Sequence, residues 1–345
     1  MKFVPKSSKV CLVSSNDIFT ALKGHSVAVM ACNTRIRHVI PGIMHAAMEL
    51  DAIVGFELAK SECDLSGGYT GMTPKDFTTV VLQYAEDINF HNPFFIHSDH
   101  LAVKNTSRQE IDAAKTLIAA QIEAGYTSFA IDASYNEIPD NVKITAEIAK
   151  VINERNLGLE TEVGEIKSVK SGGSLTTPEE ASEYIHGLVD SGIRPNLLAI
   201  NNGSKHGHYA PDEKVFIDLK RTKEIYEMLK SHICGIAQHG ITGTPPEIMQ
   251  QFPDSGILKG NVGTLWQDVA HEGLPPDLLD ILKNWALENK KDLKSATKVF
   301  KKEIDSIPQK NKKMIEENAY MQASSFMKFF RSKGTASLLI EKLGV

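Results

Sequence analysis

Residues 94–100 read FFIHSDH, an apolar run that ends in His97, Asp99 and His100. The run is typical of a strand in a parallel sheet that is covered on both faces. Its polar end matches the place where parallel barrels carry their chemistry, the carboxyl ends of the strands. Because side chains alternate along an extended strand, we expect His100 to face inward and His97 to face the opposite side in a structural role.

Seven further segments share this apolar character, and segments with helical periodicity separate them. The strand candidates are residues 27–33, 52–59, 128–134, 158–164, 197–203, 235–240 and 256–262. Ser107 and Thr177 are expected to cap two of the helices, which end near Gly125 and Gly192. Residues 212–231 and 244–256 predict a longer and a shorter helix.

Eight β-then-α units predict an α/β protein with a (β/α)8 TIM barrel over residues 1–269. A doubly wound open sheet is the alternative, disfavoured because no G-x-G-x-x-G follows the first strand. Residues 270–345 contain more helix than one barrel unit needs. We expect them to form a helical extension that packs on the barrel or on a partner subunit.

The composition excludes several classes of partner. The chain has 345 residues, is 42% hydrophobic and carries a formal net charge of −5, so nothing global favours nucleic acid or an anionic membrane. Its four cysteines are dispersed, as expected of reduced thiols. No signal peptide and no apolar stretch long enough to span a membrane is evident, which predicts a cytoplasmic protein.

Three histidines follow three different predicted strands. His100, His206 and His239 would point into one mouth, and neutral imidazoles on separate rigid strands suit a borderline divalent ion such as Zn²⁺. Three protein ligands with an open fourth position are typical of a catalytic site rather than a structural one. The alternative is that each is an ordinary core or surface residue.

Two glycine-bearing turns, NNGSKHGHY at 201–209 and HGITGTP at 239–245, follow the sixth and seventh strands. They offer backbone N–H groups and hydroxyls, and barrels commonly bind phosphate with their late loops. The alternative is that these turns only reverse the direction of the chain and bind nothing.

Five segments match one family's motifs in that family's order, within residues 27–265. They are HSDH (97–100), LETEVG (159–164), NNGSKHGHY (201–209), QHGITGTP (238–245) and GILKGNVGT (256–264), and GYTGMTPKDF (68–77) is similar to a further loop. With these segments, the chain resembles the class II, metal-dependent fructose-bisphosphate aldolases.

The resemblance implies a role for each matching residue. The metal ligands would be His100, His206 and His239, with Glu162 as an auxiliary metal-site glutamate and Asp99 as the catalytic acid/base. The metal would be Zn²⁺ or another divalent ion such as Co²⁺ or Mn²⁺, with a monovalent cation near the phosphate. The residues along the bound ketose phosphate would be Gly207, Gly240, Thr242, Asn261 and Thr264, with Asn33 and Ser61 as further contacts.

The sequence departs from the family pattern in three places. The family has an acid-rich segment after its glutamate strand, but no such acid follows Gly172 and Gly173 here. Glu165 is the substitute candidate, and a solvated loop residue is its alternative role. Gly263 stands where the family has an aspartate, and HGITG replaces HGGSG. These changes leave the identity of the ketose open.

The resemblance therefore predicts an aldolase that cleaves a ketose (bis)phosphate, in the first instance fructose 1,6-bisphosphate, to glycerone phosphate and an aldehyde. The alternatives are another ketose, such as tagatose 1,6-bisphosphate or a deoxy or modified ketose 1-phosphate. A different class of function is a non-catalytic barrel that binds sugar phosphates. The family further implies a homodimer or a larger homo-oligomer.

Overall fold

A computed structural model describes residues 8–166, 174–209 and 213–344 of the chain. Eight parallel strands close into a barrel in sequence order, with β8 paired to β1. This confirms the predicted TIM barrel. The strands are β1 Val29–Asn33, β2 Val54–Ala59, β3 Phe94–Ala102, β4 Ser128–Asp132, β5 Gly158–Val163, β6 Leu197–Ile200, β7 Gly235–Gln238 and β8 Ile257–Val262.

Helices lie before the first strand, between successive strands and after the last one. Up to β8 they are α1 Ser15–Leu22, α2 Ile40–Glu49, α3 Pro74–Asp87, α4 Arg108–Ala124, α5 Ile138–Glu154, α6 Pro178–Asp190, α7 Leu219–Leu229 and α8 Pro246–Met249. After β8 they are α9 Thr264–Gly273, α10 Pro276–Glu288, α11 Ala296–Val299, α12 Lys301–Asp305, α13 Gln309–Phe329 and α14 Thr335–Leu343.

Most of the predicted helix ends are present. Ser107 accepts a hydrogen bond from the Glu110 amide, and Thr177 forms a reciprocal capping box with Glu180. The helix predicted over 212–231 is shorter than expected, because Asp218 caps it and its own amide bonds the carbonyl of Asn202. The described residues just before Asp218 therefore belong to the loop after β6 and do not extend α7.

The amino-terminal end of the barrel is closed by α1 and α14. Phe19 of α1 makes an edge contact with Phe95 of β3, with ring centroids 5.7 Å apart, and both are buried. Leu339 of α14 belongs to the same apolar cluster. Because this end is sealed by apolar side chains, the opposite end is the one that offers an open mouth.

The chain after β8 packs on its own barrel. Helix α13 crosses α2 so closely that a Cβ on Gly42 would lie 2.1 Å from a backbone oxygen of α13. Ser332 donates a hydrogen bond of 2.7 Å to the carbonyl of Ala28. The boundary predicted between residues 269 and 270 falls inside α9. No helix in the described ranges is long and apolar enough to cross a membrane.

An irregularity in β3 decides how its polar end is presented. The pairing with β4 shifts register between Ser98 and Leu101, and His100 has a φ of 39°. The extra residue breaks the alternation of a regular strand. As a result His97, Asp99 and His100 all lie on the inner side of the barrel. The prediction that His97 faces the opposite side is wrong, because it assumed an unbroken extended strand.

Candidate active site

The carboxyl end of the barrel opens into a cavity of about 1240 Å³. Every residue that the sequence predicts for the site lines this cavity. They are Asn33, Ser61, Asp99, His100, Glu162, Glu165, His206, Gly207, His239, Gly240, Thr242, Asn261 and Thr264. The strands thus bring together residues that are as far apart in sequence as positions 33 and 264.

The rings of the three predicted histidine ligands lie close together at the mouth, where His239 is buried, His100 half-buried and His206 exposed. Among the described residues, the ligand atoms of His100 and His239 are close enough to share a metal ion with Asp99, and no such group includes His206. The ring centroid of His100 lies 5.0 Å from that of His206 and 4.2 Å from that of His239, and the latter two are 6.1 Å apart. The side chain of His206 is exposed at the mouth, but desolvation among its neighbours, followed by the nearby His100, lowers its pKa to about 4. Burial likewise lowers the pKa of His239. Both rings are therefore neutral at physiological pH, as metal ligands must be.

His100 lies in a negative environment. Its Nδ1 is 3.2 Å from Oε2 of Glu162 and 3.7 Å from Oδ2 of Asp132. Burial opposes a charge on this ring, but Asp99 and Glu162 outweigh burial and raise its pKa well above the usual value. Its Nε2 is buried and has no hydrogen-bond partner within the part of the chain that the structure describes. An unpaired nitrogen among carboxylates is a place that suits a cation.

Asp99 is held by two side-chain amides. Asn33 donates a hydrogen bond of 2.8 Å to one carboxylate oxygen, and Asn261 donates one of 3.0 Å to the other. Burial would raise the pKa of Asp99, but the neighbouring His100, helped by the hydrogen bond from Asn33, holds it well below its usual range. The carboxylate is therefore ionised and fixed beside the histidines. Asp99, His100 and His239 also form one of the groups whose ligand atoms are close enough to hold a metal ion.

A second layer of charged residues lies below this floor and was not assigned a function from sequence. Lys259 Nζ is 2.8 Å from Glu160 and 3.2 Å from Glu57, and it contacts His97 Nε2 at 3.1 Å. Glu160 in turn is bonded to His239 at 2.8 Å. The sequence could have identified Glu160 and Lys259. Each lies two positions before a predicted site residue on the same strand, and residues two apart point to the same face.

Arg35 and Glu62 form another pair that the sequence reasoning missed. Arg35 Nε and Nη2 each lie 2.7 Å from Glu62 Oε1, and Tyr69 donates to the same oxygen at 2.9 Å. The other oxygen of Glu62 accepts from Asn33, the residue that holds Asp99. Their positions in the loops just after the first two strands could have identified both residues as candidates for the site.

The loops after β6 and β7 are close together. Gly240 has a φ of 66°, and a Cβ there would lie 2.5 Å from the Lys205 carbonyl oxygen, so only glycine fits. The Thr242 hydroxyl accepts a hydrogen bond from the Leu265 amide, which ties the β7 loop to the start of α9. Thr264 is the first residue of that helix. The amino terminus of a helix is a place where backbone N–H groups favour an anion.

Glu165 lies at the rim, on the described stretch after β5, and its backbone carbonyl accepts a hydrogen bond from Asn201. Gly172 and Gly173, where the family's acid-rich segment would follow, lie outside the described residues. The predicted proton-exchange role of Glu165 therefore stays a prediction.

A closed (β/α)8 barrel with these groups at its mouth defines the chain as a TIM-barrel enzyme. The family model described as "Fructose-bisphosphate aldolase class-II" matches residues 13–334, and the chain belongs to this family of aldolases, which are carbon–carbon lyases.

Individual relatives agree with the family. The fructose-bisphosphate aldolase of Streptococcus pneumoniae is 27% identical over 259 residues, which cover 74% of this chain and 80% of that protein. That of Geobacillus stearothermophilus is 28% identical over 260 residues, covering 73% and 81%. Among solved structures, the YdjI aldolase of Escherichia coli K12 is similar with a TM-score of 0.66 at 17% identity, covering 94% of this chain and 99% of that one. The fructose-bisphosphate aldolase of Campylobacter jejuni gives 0.66 at 16%, covering 94% and 97%.

Proposed function

We propose that this protein is a divalent-metal-dependent aldolase that cleaves a ketose (bis)phosphate, in the first instance fructose 1,6-bisphosphate, to glycerone phosphate and an aldehyde. The observation that carries the proposal is the ionised Asp99, fixed by two amides beside the His100 and His239 rings. A barrel that only binds sugar phosphates has no need for a buried, preorganised carboxylate beside converging imidazoles.

The residues at the floor of the mouth fit a divalent metal. His206 and His239 are neutral, and Nε2 of His100 has no hydrogen-bond partner among the described residues. The carboxylates around His100 raise its pKa, so a bound metal would have to displace the ring proton before this third imidazole could act as a ligand. Imidazole ligands favour Zn²⁺, with Co²⁺ or Mn²⁺ as alternatives. Glu162 contacts His100 and would support or join the ligand set. When bound, the metal would polarise the ketone carbonyl and act as the electron sink for cleavage.

Asp99 would move the proton in the bond-breaking step. In cleavage its carboxylate takes the proton of the C4 hydroxyl, the C4–O electron pair forms the aldehyde, and the C3–C4 bond breaks with its electron pair left on C3. In condensation the same carboxyl returns the proton. The hydrogen bonds from Asn33 and Asn261 orient Asp99 and keep it ionised before the reaction.

The rim of the mouth would supply a proton donor and a binding site for the phosphate group. The C3 of the three-carbon product needs a proton, and Glu165 is our candidate donor on the side of β5. The ketose phosphate group would lie against Gly207, Gly240, Thr242 and Thr264, with a monovalent cation nearby, because these late loops offer backbone N–H groups and hydroxyls at the start of α9.

A different ketose is the second candidate, and one contact favours it. A Cβ on Gly263 would lie 3.0 Å from Arg35 Nη2 and 3.2 Å from Asn33 Oδ1. Arg35 therefore occupies the space into which an aspartate at position 263 would extend. Because this wall differs from the family pattern, tagatose 1,6-bisphosphate and deoxy or modified ketose 1-phosphates remain alternative substrates of the same chemistry.

The decisive experiment combines metal removal with a substrate panel. Protein stripped with a chelator should lose cleavage, and Zn²⁺, Co²⁺ or Mn²⁺ should restore it. The panel of ketose 1-phosphates and bisphosphates is then ranked by kcat/KM. Activity that resists the chelator would refute the metal mechanism, and no cleavage of any member by the metal-loaded protein would refute the aldolase.

We also propose that the protein is cytoplasmic and forms a homodimer or a larger homo-oligomer. The cysteines in the described residues are free thiols, which suits a reducing compartment. Light scattering at micromolar concentration would test the assembly, and a monomer would contradict it.

A further inference from the structure

A buried ion cluster lies one layer below the active-site floor, and the chemistry proposed above does not use it. Lys259 Nζ lies 2.8 Å from Glu160 Oε2, 3.2 Å from Glu57 Oε2 and 3.1 Å from His97 Nε2. Lys259 and Glu57 are fully buried, and Glu160 is 2% exposed. Charges in a barrel interior are costly to desolvate, and replacing them with apolar residues is often neutral or stabilising. Stability alone is therefore a weak reason for this cluster.

Glu160 connects the cluster to the active site. Its Oε1 lies 2.8 Å from His239 Nε2, and its Oε2 is the oxygen that accepts from Lys259. The ammonium of Lys259 lies between two carboxyl groups, 2.8 Å from Glu160 and 3.2 Å from Glu57, and so is held against Glu160. With both oxygens engaged, the Glu160 carboxylate cannot rotate away from His239. Because Glu160 accepts from the Lys259 ammonium with one oxygen and offers the other to His239 as an acceptor, the geometry places the ring proton of His239 on Nε2.

We infer that Glu160, locked by Lys259, is a positioning residue that fixes the tautomer of His239 and so leaves Nδ1 free to bind a divalent cation. The inference rests on the metal site of the proposed function. When a carboxylate that bonds the second nitrogen of a ligating histidine is mutated, metal affinity or activity typically falls about 10–100-fold. The effect of Glu160 should therefore appear in metal binding itself, before any substrate is added.

Glu160→Gln tests this directly. The new amide has one accepting oxygen for two neighbours, and the charged Lys259 takes it. The amide NH₂ then faces His239 Nε2, which must give up its proton, and the proton moves to Nδ1 where the metal would bind. We expect the Zn²⁺ affinity of the apoprotein, measured by chelator competition, to fall about 10–100-fold. The Co²⁺ absorption spectrum should change as well.

Glu57→Gln is the matched control. It removes a carboxyl group from the same ammonium, and the described contacts of Glu57 do not include His239. A merely structural cluster predicts that the Zn²⁺ affinity of each variant falls in step with its free energy of unfolding, and that result would overturn the inference. The positioning role predicts a loss in Glu160→Gln alone.

A double variant adds a rescue. In Glu160→Gln with Lys259→Met, no ammonium competes for the amide oxygen, which can again accept from His239 Nε2–H. Zn²⁺ affinity should recover towards the wild-type value, whereas a structural role predicts a further loss.

One measurement needs no folded variant of the cluster. ¹⁵N-histidine NMR of the wild-type apoprotein should show His239 protonated on Nε2, with the signal assigned by its loss in His239→Gln. A proton on Nδ1 would overturn the inference. Wild-type protein that binds no divalent ion would instead refute the proposed function, so the two failures are distinguishable.

Discussion

Replacement of Asp99 by asparagine removes the proposed base with little change of shape. The wild-type carboxylate accepts from Asn33 at 2.8 Å and from Asn261 at 3.0 Å. An amide has one accepting oxygen, so one of the two asparagines must face an NH₂ group. The side chain can no longer take a proton from a hydroxyl, although the buried Nε2 of His100 stays available.

The expected magnitude follows from the lost proton transfer. A positioned base typically contributes 10²–10⁴-fold, which corresponds to about 3–5.5 kcal/mol of activation free energy. We therefore expect kcat to fall by at least about 100-fold. The three histidines are unaltered, so the protein should still bind its metal.

The assay follows glycerone phosphate by its coupled reduction, with metal content measured on the same sample. Asp64→Asn, a carboxylate on the rim of the same cavity, is the control and should cleave at the wild-type rate. A metal-loaded Asp99→Asn variant that keeps a wild-type kcat would refute the assignment of Asp99. Loss of metal together with activity would contradict the division of roles between Asp99 and the histidines.

Three further predictions concern other parts of the chain. Gly263→Ala should lower kcat/KM about tenfold, about 1.4 kcal/mol, because its Cβ would press on Asn33; unchanged steady-state kinetics would contradict this. Burial lowers the pKa of His38 to about 4, while its ring bonds the Ile304 carbonyl at 2.9 Å. In this pH range His38 is protonated in the unfolded chain but not in the folded one. The free energy of unfolding should therefore fall by about 3 kcal/mol as the pH is lowered from about 6.5 to 4. Denaturant unfolding of His38→Gln should show a flatter pH dependence, and an equal slope would count against it. Gly42→Ala should lower the unfolding free energy by about 1–3 kcal/mol, because its Cβ would meet the backbone of α13; thermal melts that match the wild type would show that the two helices can separate at no cost.

Much of the barrel could be predicted from local pattern. The apolar runs, the Ser107 cap and the Thr177 capping box depend on residues near one another in sequence, and all are present in the structure. The placement of His100, His206 and His239 around one mouth could also be predicted, because the carboxyl ends of parallel barrel strands meet at one end.

The inward direction of His97 and Asp99 together with His100 could not be predicted in the same way. Alternation along a strand assumes regular backbone, but the register shift after Ser98 and the positive φ of His100 break it. The bulge depends on how β3 pairs with β4, which no local pattern in FFIHSDH encodes. The length of α7 was missed for a related reason, since Asp218 is tied to Asn202 of a preceding loop.

The sequence by itself determined the fold class and many of the polar residues at the mouth. The first follows from hydrophobic periodicity, and the second from the family motifs and from the end of a parallel barrel at which its strands finish. Only the tertiary structure decided the partners of those residues. Asp99 is held by Asn33 and Asn261, and Glu160 is clamped between Lys259 and His239. The physical reason is that each contact joins different strands at one register, and a contact between side chains distant in sequence exists only once the barrel has closed.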